Sequence, residues 1–192
     1  TPAGEARVEL ALRGRHNVRN AVAAAALATG LGVDVDAIAR GLAAARPVEG
    51  RLVTPRLRAG VTLVDDSYNA TPGSLAAALD TVAEGPGEGW LVLGDMRELG
   101  EDAEAMHAEA GRRAKSAGIT RLFALGPLSA AAAGAFGEGG QLLQSHDEAA
   151  RAVREALPAG VAQQKEIRVL VKGSRGSAMD KVVRALLADS PG

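Results

Sequence analysis

The sequence predicts an α/β fold in which a mostly parallel sheet carries helices on both faces. Short, continuously apolar segments alternate along the chain with segments of helical length, an order typical of parallel sheets. The apolar segments do not alternate with polar residues, as is typical of strands buried on both faces. Three of these segments end in glycine and a fourth ends in two aspartates. Such strand ends lie along the edge where open α/β sheets bind ligands.

The beginning of the chain is expected to form a weak strand at 6–12 and helices at 17–29 and 36–45. Pro47 and Gly50 then interrupt the pattern, which predicts one domain over 1–46 and another over 47–192. Because so short a first segment cannot bury a core alone, we expect it to be the end of a larger domain or an appendage of the second one.

The second segment is expected to begin with a hairpin whose strands, 51–57 and 61–65, are joined through Gly60. A helix follows at 72–83, with Thr71 as N-cap and Pro72 at the first position. The later elements are expected as strands at 90–93, 121–125, 141–143 and 167–171 and helices at 102–117, 129–136 and 146–157. The last helix has an apolar stripe at the spacing of one helix face, namely Met179, Val182, Val183, Leu186 and Leu187.

Composition excludes several classes of protein. The net charge is -1 with both signs interspersed, so neither nucleic acid nor an anionic membrane is an expected partner. The absence of cysteine excludes disulfides and thiolate metal sites, and the three histidines lack ligand spacing, so no metal site is expected. The sequence contains no signal peptide and no apolar segment long enough to span a bilayer, which predicts a cytoplasmic location.

The loop from Lys172 to Ser177 (Lys-Gly-Ser-Arg-Gly-Ser) links the last strand to the last helix. A helix N-terminus offers free N–H groups, and Lys172 and Arg175 add two cations, so the loop suits a carboxylate or a phosphate. Alternatively, Ser177 caps the helix together with Asp180 and the cations are solvated. The loop lacks the spacing of a nucleotide-binding P-loop.

Three other polar segments are candidate binding sites. Asp65 and Asp66 are followed by Ser-Tyr-Asn69, which suits a metal, a ribose hydroxyl or an amine, or forms only a polar turn. The loop from Gly94 to Gly100 carries Asp95 and Glu98, which could contact an amino group or be solvated. Asn17 and Asn20 share one helix face and suit the edge of an adenine. Alternatively, Asn17 is an N-cap and Asn20 a surface residue.

Taken in order, five motifs resemble one family closely. They are Gly-Arg-His-Asn17-x-x-Asn20, Gly-Arg51-Leu, Asp-Asp66-Ser-Tyr-Asn69-Ala, Leu-Gly-Asp95-Met-x-Glu-Leu-Gly and Val-Lys172-Gly-Ser-Arg175. Between about Val8 and Leu187 the chain resembles the Mur ligase family, and the third and fifth motifs resemble its D-alanyl-D-alanine-adding branch. One departure is Ala-Thr-Pro72 in place of Ala-Asn-Pro, and both sequences cap a helix.

The resemblance implies roles for these residues. Residues 47–192 would be a complete Rossmann-like carboxy-terminal domain, and 1–46 the end of the central ATP-binding domain. Asn17 and Asn20 would hold adenine, Arg51 the phosphates or ribose, and Asp66 the ribose. The dipeptide D-alanyl-D-alanine would contact Lys172, Ser174 and Arg175, with Asn69 and Asp95 as weaker candidates.

The resemblance also implies a reaction. ATP, with Mg²⁺, converts the carboxylate of UDP-MurNAc-tripeptide into an acyl phosphate, which the dipeptide amine attacks during peptidoglycan synthesis. The family places this chemistry on a P-loop and other central-domain segments that these 192 residues do not contain. The chain is therefore expected to be an inactive part of a monomeric ligase, with a hinge at 47–50.

Two other functions are weighed against this one. A free-standing module that binds a nucleotide or a dipeptide without catalysis would also lack the catalytic segments. A dinucleotide-dependent oxidoreductase is disfavoured, because no strand is followed by Gly-x-Gly-x-x-Gly.

Overall fold

The structure is a computed structural model that describes residues 1–2, 4–12, 14–46, 48, 50–58, 60–158 and 166–188, with only the backbone of 15 and 16. It divides into two compact units, Thr1–Val48 and Glu49–Gly192. Pro47, part of the expected hinge, lies outside the described residues.

The first unit contains two helices, α1 (Arg15–Gly30) and α2 (Val35–Ala44). Asp34 caps α2 by accepting hydrogen bonds from the N–H groups of Asp36 and Ala37. The strand expected at 6–12 is wrong, since these residues have no strand partner in the described part of the unit. A strand alone leaves its peptide groups unpaired, so an apolar pattern of this length does not form one without a neighbour.

The second unit is built on a six-stranded sheet in the order β1-β2-β6-β3-β4-β5. Strand β1 is antiparallel to β2, and the remaining pairs are parallel, as the sequence predicts. The strands are β1 (Arg56–Arg58), β2 (Val61–Asp66), β3 (Glu88–Gly94), β4 (Ile119–Leu125), β5 (Gly140–Leu143) and β6 (Ile167–Lys172). The helices are α3 (Pro72–Ala83), α4 (Ala103–Ser116), α5 (Ser129–Phe136), α6 (His146–Ala156) and α7 (Asp180–Ala188).

Helices cover both faces of the sheet, which confirms the predicted fold class. Strand residues such as Leu91 and Leu170 pack in one cluster with α3, α4 and α5, whereas Trp90 and Val169 pack in another with α6 and α7. Successive side chains of a strand point to opposite faces, so each central strand contributes to both clusters. This is why these strands are apolar throughout.

Most element bounds lie within two residues of the predicted ones, and α3 and α5 match them. Strand β1 is the main difference, because Leu52 has a left-handed φ of 51° and only Val53 pairs with β2 before Arg56. In α4, Met106 is exposed and His107 is buried.

Helices α4 and α5 approach each other through a glycine. A Cβ on Gly111 would lie 2.1 Å from the carbonyl oxygen of Ala132, so the two backbones could not keep this contact with a larger residue. Gly134 of α5 has no neighbour within 4 Å of its Cβ position and is exposed. These two helical glycines thus differ in packing alone.

The first prediction compares Gly111→Ala with Gly134→Ala. We expect Gly111→Ala to lower the free energy of unfolding by about 1–3 kcal/mol, because overpacking displaces α4 from α5. Gly134→Ala should raise it by about 0.5–1 kcal/mol, because alanine favours the helix. Urea denaturation followed by circular dichroism measures both, and equal effects would contradict the packing explanation.

Candidate functional site

The carboxyl ends of four neighbouring parallel strands form one edge of the sheet. Asp66 ends β2, Lys172 ends β6 and Gly94 ends β3, and in the register of the sheet Lys172 lies between Asp66 and Leu93. Leu125 ends β4 beside Gly94. The loops that begin with Ser67, Asp95 and Gly173 therefore meet at this edge, as the strand ends predict.

Lys172 and Asp66 form an ion pair across this edge. The ammonium Nζ of Lys172 donates to Oδ2 of Asp66 and, at 2.9 Å, to the carbonyl oxygen of Asn69. The side chain of Lys172 is 2% exposed and that of Asp66 is 14% exposed. A buried ammonium is stable only when such partners replace its water. Lys172 is thus buried and paired. From the sequence, either a cation open to an anionic ligand or a solvated one was expected.

The loop after β6 is a short 3₁₀ turn at Arg175–Ser177. The hydroxyls of Ser174 and Ser177 each donate to the carbonyl oxygen of Asp95 at 2.6 Å, and the N–H of Ser174 donates to it at 3.0 Å. The interpretation of Ser177 as the cap of the last helix is wrong, since its hydroxyl is bound to Asp95 and α7 begins only at Asp180. Arg175 is exposed at the tip of this turn.

Asp95 organises the neighbouring loop with its side chain as well. Its Oδ1 accepts hydrogen bonds from the N–H and the hydroxyl of Ser129, at 2.7 and 2.8 Å, at the first residue of α5. Gly126 leaves the space for this carboxylate, because a Cβ there would lie 2.5 Å from Cγ of Asp95. The carboxylate of Asp95, which the sequence analysis considered for a ligand, is therefore hydrogen-bonded to the N-terminus of α5.

The ring of Tyr68 contacts two arginines. The guanidinium carbon of Arg51 is 4.5 Å from the centre of its ring and that of Arg175 is 5.1 Å from it, both within the range of cation–π contacts. Sequence reasoning did not include Tyr68 among the site residues. A signal existed: it is the only tyrosine of the chain and lies two residues after a strand end.

The backbone around Arg51 is held against the end of β2. The N–H of Tyr68 donates to the carbonyl oxygen of Gly50 at 2.9 Å, and Val53 exchanges two hydrogen bonds with Asp65. Gly50 has a φ of 74°, and a Cβ there would lie 3.0 Å from the nitrogen of Tyr68. Glycine is therefore needed where the segment that carries Arg51 begins.

Asn69 contributes its backbone to the edge. Its carbonyl oxygen accepts from Lys172, and its Oδ1 accepts from the N–H of Ala70 at 2.9 Å. Helix α3 begins immediately afterwards, and Thr71 and Ser74 form the expected N-cap as a reciprocal capping box. The hydrogen bonds of Lys172 thus connect the ion pair to the segment that precedes α3.

Asn17 and Asn20 belong to the first unit. Asn17 lies within α1, where its N–H donates to the carbonyl oxygen of Gly14, so its interpretation as an N-cap is wrong. Nδ2 of Asn20 donates to Oδ1 of Asn17 at 3.5 Å, which places the two side chains on one face as predicted. Their binding of adenine stays a prediction.

Two other polar side chains of the second unit have structural roles. His107 accepts a hydrogen bond at Nε2 from the N–H of Met96 and contacts the carbonyl oxygen of Ala103 through Nδ1, so both ring nitrogens are used. Burial lowers the pKa of Arg168, and Glu166 opposes that shift. The guanidinium of Arg168 donates to the carbonyl oxygen of Gly85 near the amino ends of the strands, away from the site.

This edge is suited to binding anions. Arg51 and Arg175 are exposed, and no carboxylate of the described residues pairs with either one. A guanidinium can bind a carboxylate or a phosphate through two parallel hydrogen bonds.

In the described part of the chain, no three acidic or histidine side chains come together as a metal site. Among the same residues, no helix is long and apolar enough to cross a membrane.

Comparison with known proteins points to one family. A family model for the glutamate ligase domain of Mur ligases matches residues 50–175. The UDP-N-acetylmuramoyl-tripeptide–D-alanyl-D-alanine ligase of Escherichia coli (strain K12) is 47% identical over 186 residues, which are 97% of this chain and 40% of that protein. The crystal structure I of MurF from Acinetobacter baumannii has a TM-score of 0.87 at 32% identity and covers 98% of this chain and 41% of that chain.

A third similar protein shows the fold alone. The crystal structure of the MurF ligase from Thermotoga maritima in complex with ADP has a TM-score of 0.78 at 24% identity, over 95% of this chain and 40% of that chain. The chain thus spans about 40% of the length of the relatives that it matches.

The second prediction concerns the buried ion pair. We expect Asp66→Asn or Lys172→Met alone to lower the free energy of unfolding by about 3 kcal/mol, because each leaves a charge unpaired. The double variant should lose less than the sum of the two losses, since neither charge remains. Urea denaturation of all four proteins measures the coupling.

The matched control is the pair Asp180–Arg184 on α7, whose side chains are 54% and 68% exposed. The same cycle with Asp180→Asn and Arg184→Met should give a coupling of at most about 0.5 kcal/mol, since surface ion pairs contribute little. Equal coupling in both cycles would contradict a special role for the buried pair.

Proposed function

The chain belongs to the Mur ligase family, and from that premise we propose that it is the carboxy-terminal part of an ATP-dependent ligase. This ligase would join D-alanyl-D-alanine to UDP-MurNAc-tripeptide in peptidoglycan precursor synthesis. The observation that carries the proposal is the pair of exposed guanidiniums, Arg51 and Arg175, over one ring at the carboxyl edge of the sheet. The sequence identity to relatives named UDP-N-acetylmuramoyl-tripeptide–D-alanyl-D-alanine ligase supports the choice of substrates.

The dipeptide would bind at the turn after β6. Arg175 is exposed and suits the terminal carboxylate of D-alanyl-D-alanine. Ser174 shapes the turn through its bonds to Asp95, and Lys172 holds the carbonyl oxygen of Asn69. These residues would therefore form the dipeptide site mainly by setting its geometry, and Arg175 would supply the charge.

ATP would bind with its adenine at Asn17 and Asn20, its phosphates or ribose at Arg51 and its ribose at Asp66. The amides of the two asparagines lie on one face of α1, and each amide can both donate and accept a hydrogen bond. Mg²⁺ would accompany the phosphates, with its protein ligands mainly in other parts of the ligase.

In the proposed reaction, a carboxylate oxygen of the tripeptide attacks the γ-phosphorus of ATP, and ADP leaves. The dipeptide amine then attacks the acyl carbon and loses a proton, and inorganic phosphate leaves. The residues of this chain would orient the amine and the phosphates, since positioning and charge stabilisation dominate phosphoryl transfer. The 192 residues contain no P-loop sequence, so they are not expected to react alone.

The division of the chain fits this role. We assign 1–46 to the end of the central ATP-binding domain and 47–192 to the carboxy-terminal domain. Val22, Leu27 and Leu31 are exposed on or beside α1, as expected for a segment whose core includes further residues. We also propose that the ligase is a cytoplasmic monomer.

The third prediction tests the activity by phosphate release from ATP with Mg²⁺, the tripeptide and the dipeptide. The chain alone should release no phosphate above background. The chain joined to the amino-terminal part of the Escherichia coli relative, which it does not match, should release phosphate only when both peptide substrates are present. Phosphate release by the chain alone would contradict the proposal. If the joined protein bound the dipeptide but released no phosphate, a binding module would be favoured.

The fourth prediction concerns Arg175 in the joined protein. We expect Arg175→Ala to raise KM for the dipeptide about 10- to 100-fold, because a charge-assisted contact to its carboxylate is lost. Arg175→Lys should recover part of this loss, since it keeps the charge without the two parallel bonds. The control is Arg184→Ala, an exposed arginine of α7, which should leave KM unchanged.

A further inference from the structure

We infer that Tyr68 is a positioning residue that orients two binding arginines, Arg51 for the nucleotide and Arg175 for the dipeptide. The inference rests on the proposed function for the identity of the two ligands. The arrangement itself rests on distances, since both guanidinium carbons lie within 5.1 Å of the centre of one ring.

The position of Tyr68 is not explained by packing of the core. The chain has four aromatic residues, and Trp90, Phe123 and Phe136 are buried. Tyr68 is 39% exposed and lies at the carboxyl edge of the sheet. An exposed aromatic ring offers its negative face to cations, and arginine is the cation found there most often.

The backbone that carries the ring is held on both sides. The N–H of Ser67 and its hydroxyl donate to Oδ1 of Asp65 at 3.1 and 2.6 Å, and the N–H of Tyr68 donates to Gly50. The carbonyl oxygen of Asn69 accepts from Lys172. The ring therefore projects from a backbone with little freedom.

The backbones of the two arginines are held in the same way, but their side chains are not. Arg51 lies between Gly50 and Val53, which both bond to the segment 65–68, and Arg175 lies between Ser174 and Ser177, which both bond to Asp95. A long arginine side chain on a fixed backbone still samples many rotamers. The ring of Tyr68 selects among them for both residues before any ligand binds, and pre-organisation of this kind strengthens binding.

The ring is the functional part of Tyr68 in this inference. A phenylalanine keeps the face that the guanidiniums contact, whereas a leucine keeps the apolar volume without the face. Tyr68→Phe should therefore behave as the unchanged protein, and Tyr68→Leu should lose the effect. Because the ring is partly exposed, neither variant is expected to change the fold, which circular dichroism checks.

The fifth prediction is tested first on this chain alone. Tyr68 is the only tyrosine, so incorporation of 3-fluorotyrosine gives a single ¹⁹F resonance. Arg51→Ala and Arg175→Ala should each displace this resonance, and Arg184→Ala, whose exposed arginine pairs with Asp180 on α7, should not. No displacement by either of the first two variants would overturn the shared contact, whatever the protein's function.

The second measurement uses the joined protein described above. Tyr68→Leu should raise KM for ATP and for D-alanyl-D-alanine about 3- to 10-fold each, the size expected when one cation–π contact per arginine is lost. Tyr68→Phe should restore both values. A rise that phenylalanine does not restore, or no rise at all, would overturn the inference. If the unsubstituted joined protein released no phosphate, the ligase proposal would be rejected instead. The ¹⁹F result would then still show whether Tyr68 contacts the two arginines.

Discussion

The ion pair between Lys172 and Asp66 is the interaction on which the carboxyl edge of the sheet depends. It joins the ends of two neighbouring parallel strands, and its ammonium also binds the loop before α3 through Asn69. Removing an ammonium from water costs several kcal/mol unless good partners replace the solvent, so the three groups must stay together. The positions of Tyr68 and of the turn at Arg175 follow, since Tyr68 precedes Asn69 and the turn begins three residues after Lys172.

The edge combines a rigid backbone with exposed charges. Asp65, Asp95 and Gly50 hold the three segments that carry Tyr68, Arg175 and Arg51. Glycines at 94 and 173 allow this closeness, because a Cβ at either position would lie within 2.6 Å of the side chain of Met179. The carboxylates are thus used inside the protein, and the arginines remain for ligands.

The sequence predicted most of the fold because apolar strands and capped helices are local signals. Helix α3 has the predicted bounds, with Thr71 as its N-cap and Pro72 at its first position. The strand expected at 6–12 failed because pairing depends on neighbours that a local pattern does not contain. For the site, the strand ends were predicted, but the partners of Lys172, Asp95 and Ser177 were not. These contacts join residues 34 to 106 positions apart, and nothing in a local motif distinguishes a solvated lysine from a buried one.

The roles proposed for Asp66 and Lys172 cannot be independent of each other. If Asp66 turned to a ribose hydroxyl and Lys172 to a carboxylate, each would leave a partner that compensates its charge in a buried place. Arg51 and Arg175 lie outside this constraint because both are exposed and unpaired with any described carboxylate. In the proposed function, first contact with the two ligands would therefore fall to the arginines. The ion pair acts by keeping the frame in which those arginines meet the ring of Tyr68.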